Sequence, residues 1–206
     1  DYARQSGNSI INNKAYDTAL GSAPAVSTEF PETSIGSQLK AVANTVNIRN
    51  ATNSNRQVFY VFMGGFDTHS DQTGALPELH SQLSQAIGAF RTAMMAMGTW
   101  NDVALFTMSE FGRTSIDNGD GTDHGWGGHH IVTGGSVVGK QIYGDIPSPD
   151  LSGESYTSTH GRLIPKVSVE QYAATLGSWF GLDSGELAAA LPNLANFSEK
   201  NIGFLG

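Results

Sequence analysis

The chain has 206 residues, with 11 Lys and Arg against 19 Asp and Glu, a net charge of −8 and no cysteine. That length predicts one domain or at most two small ones, long enough to bury a core without help from a disulfide or a metal. The charge balance excludes a duplex-binding surface, which needs clustered cations; the absent thiols exclude disulfides, thiolate catalysis and zinc–cysteine sites; and no stretch reaches the ~20 apolar residues of a membrane span.

Residues 1–36 carry few sustained apolar patterns and read as an irregular N-terminal segment, with a short helix near Asn13–Leu20. Residues 37–206 read as an α/β domain. Leu39, Val42, Ala43 and Val46 recur at helical spacing, with Ser37 placed to cap the helix. Arg56 to Met63 is a continuous β-branched and aromatic run, which predicts a strand covered on both faces, as in a parallel sheet; Gly64 and Gly65 end it. A long helix follows, with Leu76, Leu79, Leu83, Ile87, Phe90, Met94 and Met97 on one stripe and Gly98 closing it. Val103 to Met108 predicts a second buried strand. Strand, helix, strand reads as a right-handed βαβ unit.

Residues 109–144 are rich in Gly, His and Asp and read as a long functional loop, with short strand-like pieces at Ile131–Thr133 and Ser136–Val138. Val169, Tyr172, Ala173, Leu176 and Phe180 mark a further helix, with Ser168 and Gln171 spaced as a capping box and Gly181 as its stop. Glu186–Leu191 reads as one or two more turns before Pro192.

Three clusters carry potential chemistry. Asp67 and His69 follow the first predicted strand after a Gly-Gly turn, and in an extended segment they project to one side, as two metal ligands would. Glu110 and Arg113 follow the second strand; a carboxylate there suits a cation, while Arg113 suits an anion or an ion pair with Glu110. Ser109 lacks the Gly-x-Ser-x-Gly pattern of a nucleophile elbow. Asp123, His124, His129 and His130 lie among glycines in the long loop. Adjacent histidines point opposite ways when extended, so at most one of His129 and His130 is a ligand. Mixed imidazole and carboxylate donors without cysteine favour a catalytic over a structural metal. Trp126, beside these glycines, suits stacking on a sugar or packing in the core.

The motifs Gly64-Gly65-Phe66-Asp67-Thr68-His69, Ser109-Glu110-Phe111-Gly112-Arg113-Thr114 and Gly121-Thr122-Asp123-His124-Gly125 resemble the bacterial DUF1501 family, as do Gly161-Arg162-Leu163-Ile164-Pro165 and Val169 to Leu176. That family is similar to the alkaline phosphatase superfamily. The resemblance implies a doubly wound, mainly parallel α/β sheet with a metal site at the strand ends, of which this chain resembles the C-terminal half. It implies metal ligands at Asp67, His69, Glu110 and His124, with Asp123 as a further candidate; beside them Arg113 and Glu110 are the catalytic residues expected, Arg113 to hold the anionic substrate or a structural carboxylate. It also implies export to the periplasm or beyond. The superfamily's nucleophile, a Ser or Thr, comes from the N-terminal half, so the nucleophile expected here is metal-activated water or a residue of that half. That half or another protein subunit is the partner expected.

The function expected is a hydrolase using a divalent metal (zinc, manganese, iron or calcium) on a small anionic phosphate or sulfate ester. The alternatives are an exported surface or assembly protein that keeps the fold without catalysis, and a carbohydrate- or anion-binding module.

Overall fold

The computed structural model describes residues 2–157 and 160–206, with side chains described from residue 12 onward. Its elements are α1 (Tyr2–Ser22), α2 (Ser34–Asn47), α3 (Gln72–Ala96), β1 (Ala104–Phe106), β2 (Gly112–Asp117), β3 (Thr122–Gly125), β4 (Val132–Gly134), α4 (Val169–Phe180) and α5 (Ser184–Ala190), with short 3-10 turns at Trp100–Asp102 and Pro192–Asn196. The chain divides into two compact units, residues 1–65 with 77–99, and residues 66–76 with 100–206. No helix among the described residues is long and apolar enough to cross a membrane.

The first unit is helical. Where a short helix was expected near Asn13–Leu20, α1 runs over Tyr2–Ser22. From Asn12 to Ser22 its side chains are exposed or half-exposed, so it has no need of the apolar stripe whose absence made the segment read as irregular. Tyr16 bonds Thr45 Oγ1 at 2.8 Å, and Asn47 donates to the Pro24 carbonyl at 2.8 Å, tying the N-terminal stretch to α2. Helix α2 starts a turn before Ser37, because Thr33 supplies the cap through Gly36 N–H. It buries Ile35, Leu39, Ala43 and Val46. The predicted stripe on α3 holds at its C-terminal end, where Phe90 and Met94 are buried with Ala86 and Ala93. Gly98 (φ +67) ends α3 in a Schellman turn, with Thr99 N–H on the Met94 carbonyl at 2.9 Å and Gly98 N–H on that of Met95 at 3.0 Å.

The doubly wound parallel sheet is not formed. The four strands pair as two separate antiparallel ribbons, β1 with β4 and β2 with β3. Residues 56–63 belong to no strand. Val58, Tyr60 and Phe62 are 79%, 86% and 62% exposed, so this apolar run is bare on one face instead of buried on two. The second predicted strand pairs only over Ala104–Phe106, and its partner is β4, antiparallel, so no βαβ unit exists. A parallel pair needs a second strand lying alongside the first. Apolar composition alone does not provide one.

In the second unit β1 runs against β4 through Ala104↔Gly134 and Phe106↔Val132. Helix α4 has the capping box at Ser168 and Gln171 that its sequence predicts, and Gly181 (φ +103) stops it. Tyr172 on α4 sets its ring edge-on to Phe106 at 6.0 Å, and its hydroxyl donates to the Thr107 carbonyl at 3.3 Å, fixing α4 against β1. Thr175 accepts Ile202 N–H at 2.9 Å, and Gln171 donates to the Glu199 carbonyl at 2.6 Å, which draws the C-terminal segment with buried Phe204 and Leu205 onto the same helix.

Candidate functional site

The β2–β3 hairpin builds the site. Its turn, Asn118-Gly119-Asp120-Gly121, has the Asn and Gly composition of tight turns. Asn118 Oδ1 accepts Gly121 N–H at 2.9 Å, and Gly119 adopts φ +109. The turn then clasps residues 67–72: Thr122 N–H donates to the Thr68 carbonyl at 3.2 Å, Asn118 Nδ2 to the His69 carbonyl at 3.1 Å, and Asp71 N–H to Asp120 Oδ2 at 3.0 Å. Gly121 lies so close that a Cβ there would come 2.3 Å from the Thr68 oxygen. A residue with a side chain would push the two segments apart.

Asp67 stands at the centre of what this clasp assembles. Its Oδ1 lies 2.7 Å from His124 Nε2, 2.7 Å from Arg113 Nη1 and 3.1 Å from His69 Nε2. Arg113 and His124 are cross-strand partners in the β2–β3 register, so one rung of the ribbon delivers both. Arg113 is further held by Thr122, through Nε to Oγ1 at 3.0 Å and Nη2 to the carbonyl oxygen. The hydrogen bond from His124, and then that from Arg113, hold the Asp67 carboxyl below its ordinary value of 3.8. Phe111 stacks on the His124 ring, with centroids 4.1 Å apart and planes within 7°.

His69 is held from both sides. Its Nδ1 faces Asp123 Oδ1 at 3.3 Å, and Asp123 also accepts from Asn118 Nδ2 at 3.2 Å. The Asn118 hydrogen bond is the main reason that the Asp123 carboxyl is shifted below 3.8, with His69 adding to it. Nδ1 being turned to Asp123, Nε2 is the His69 ring nitrogen that faces the point where Asp67 and His124 meet. This is the carboxylate–histidine arrangement that orients metal-binding imidazoles.

One ligand atom each from Asp67, His69 and His124 lies within 4.8 Å of the others, all three residues being exposed, and this is the one such group among the described residues. Two imidazoles and one carboxylate open to solvent on one side form a donor set suited to zinc, iron or manganese. Around a cation with ~2 Å bonds, tetrahedral ligand atoms sit about 3.3 Å apart. The 2.7 Å Asp67–His124 contact therefore needs only a small side-chain rotation to open. Imidazole donors turn the set away from calcium, which takes oxygen ligands.

Of the other residues singled out from the sequence, Glu110 is exposed on the segment between β1 and β2 and is not among the converging groups. Asp123 acts on His69 instead of joining the three. His129 and His130 are also outside it; His130 stacks on Tyr172 at 5.8 Å, and burial pushes its imidazole below the ordinary value of 6.5. Ser109 donates to the Phe111 carbonyl at 2.9 Å. Sequence reasoning missed Asn118, Thr122 and Phe111. The turn composition at Asn118–Gly121 was the available signal, because reading it as a hairpin pairs Arg113 with His124 directly.

No curated protein and no solved structure matches the chain. The family model described as "Protein of unknown function (DUF1501)" matches residues 12–195, which is most of the chain, and the protein belongs to that family.

Proposed function

We propose that Asp67, His69 and His124 hold a divalent transition metal and that the protein hydrolyses a phosphate or sulfate monoester there. The observation that carries this reading is the convergence of three donor atoms within 4.8 Å beside an arginine. The bound metal supplies a Lewis-acid charge at the ester oxygens. Asp123, braced by Asn118, fixes the ring of His69. Arg113 keeps N–H groups beyond its three bonds to Asp67 and Thr122, and offers them to the anionic ester. Water supplies the entering oxygen, the bond from phosphorus or sulfur to the ester oxygen breaks, and the leaving alcohol takes up a proton.

The ester chemistry is an expectation carried over from the alkaline phosphatase superfamily by way of the DUF1501 resemblance of the motifs around Asp67, Glu110 and His124; the superfamily's sheet is not carried over. Export, with its periplasmic or extracellular location, belongs to the same reading and is supported by the low charge and the many Ser, Thr, Asn and Gly residues.

A second reading also has an observation behind it. Arg113 already neutralises Asp67 at 2.7 Å, so the same groups satisfy one another as a surface ion-pair cluster that needs no metal. An exported, non-catalytic assembly protein would keep the fold in this way. Elemental analysis with an aryl phosphate and aryl sulfate assay separates the two. The hydrolase reading expects about one metal per chain, lost in His69→Ala and Asp67→Asn, with turnover lost alongside it. A folded, metal-free protein that turns over neither ester with any divalent ion overturns it.

A further inference from the structure

Trp126 follows β3 directly, two residues after His124, and is 65% exposed. That rules out the core-packing role its sequence allowed. Isolated exposed aromatics are common and need no explanation. Here, however, the backbone on either side is locked down. Gly125 and Gly127 are both buried. A Cβ on Gly125 would come 2.8 Å from the Arg113 carbonyl oxygen, and one on Gly127 would come 3.0 Å from Leu163. Gly127 N–H donates to the Leu163 carbonyl at 3.1 Å. The flanking glycines therefore face inward against β2 and residue 163, and the one large side chain between them faces out.

Burial alternates along this stretch: His124 exposed, Gly125 buried, Trp126 exposed, Gly127 buried. The strand ends at Gly125 and the chain bends at Trp126, so His124 and Trp126 are the two exposed residues flanking one buried glycine, with Cα atoms no more than about 7 Å apart. The indole is consequently presented from fixed backbone close to His124. It makes no ring contact with another described aromatic, whereas His124 is already covered by Phe111.

We propose that Trp126 is the stacking platform for the organic part of the ester, so that the preferred substrate is a ring-bearing monoester; this rests on the ester site proposed above. An ester whose acid group sat at Asp67, His69, His124 and Arg113 would have the exposed Trp126 indole, two residues from His124, available to its organic part. A flat or C–H-rich ring gains from that contact, and a short alkyl chain gains little. The shared chemistry is a ring face, which either an aryl group or a sugar supplies.

The test uses the metal-loaded full chain with three monoesters: phenyl phosphate, glucose 6-phosphate and ethyl phosphate. Trp126→Ala is expected to raise KM for the favoured ring ester roughly tenfold and leave that for ethyl phosphate within about twofold, and Trp126→Phe recovers most of the loss. The arm that changes, phenyl or glucosyl, identifies the ring class. Indole emission is the second readout: the ring ester shifts it in the wild type and not in Trp126→Ala, although Trp100 and Trp179 remain. Equal loss on the ring and ethyl esters, or an emission change that survives Trp126→Ala, overturns the proposal. The emission titration needs no turnover. A ring-dependent shift in a protein without hydrolysis supports the platform while the hydrolase reading fails; turnover with no ring preference overturns the platform alone.

Discussion

Residues 56–63 and residues 112–125 are a pair of opposites. The first stretch is almost wholly apolar, yet it pairs with no strand, and only Phe62 finds a backbone substitute, the Gln38 side-chain amide, which donates to its carbonyl at 2.8 Å and accepts its N–H at 2.8 Å. The second is polar and glycine-rich, and it forms the ribbon on which the site is built. Strand formation here follows from having a partner and a turn that returns the chain to it, not from β-propensity. The Asn118–Gly121 turn gives the end of β2 a partner five residues on, Asp117 opposite Thr122, while no strand of the described chain lies alongside residues 56–63.

The hairpin is the place to break this comparison with greatest effect. A Cβ at residue 112 would come 1.8 Å from the Gly127 carbonyl oxygen, a backbone atom that no rotamer change can move. Gly112→Ala is therefore expected to cost about 2–4 kcal/mol and to separate Arg113 from His124. Thermal unfolding and metal content should fall together; a stable variant with intact metal binding would show that the ribbon does not hold the site. Asn118→Ala is the milder version. It keeps the backbone pairing of the ribbon but removes the side-chain bonds to Gly121 N–H, Asp123 Oδ1 and the His69 carbonyl, so Asp123 loses the brace that holds it against His69. If the three converging groups hold a metal as proposed, its affinity is expected to drop about tenfold or more, measured by competitive chelation, with a stability loss of about 1–2 kcal/mol, smaller than that of Gly112→Ala.

The sequence made some of this legible and hid the rest for identifiable reasons. The capping box at Ser168, the left-handed stops at Gly98 and Gly181, and the buried stripe at Phe90 and Met94 are local signals, and each is present. The motif residues Asp67, His69 and His124 were also singled out from the residues alone, and they lie together. Glu110 was grouped with them because a second parallel strand was expected to carry it to the same sheet edge, and that sheet is absent. The bracing by Asn118 was hidden because residues 109–144 were read as one loop. Once the turn is read as a hairpin, residue 113 opposite residue 124 follows from register.

The charge arrangement can be sharpened by titration. Asp67 is held below its ordinary value of 3.8 chiefly by His124 and then by Arg113. Its folded value is depressed, so its contribution is present above 3.8 and is lost as pH falls through the lower folded value. Arg113→Ala is expected to move the Asp67 midpoint upward, toward 3.8, by carboxyl-detected NMR in the metal-free protein. A midpoint that stays put would assign the shift to the two histidines, His124 and His69.

The smallest effect is expected in the apolar stretch. Gln38 reproduces one rung of an antiparallel ladder for Phe62, with a side chain in place of a neighbouring strand. Both bonds are exposed, so on Gln38→Ala the Phe62 peptide group turns to water, and the loss is about 1 kcal/mol or less. Amide exchange at residue 62 is the sharper measure. If Gln38 is its only partner, exchange there quickens in the variant, while the rest of residues 56–63 exchanges fast in both proteins. Slow exchange across the whole stretch, unaltered by Gln38→Ala, would mean that these residues are paired in solution after all, and the contrast between the two regions would then lie in where each finds its partner instead of in whether it has one.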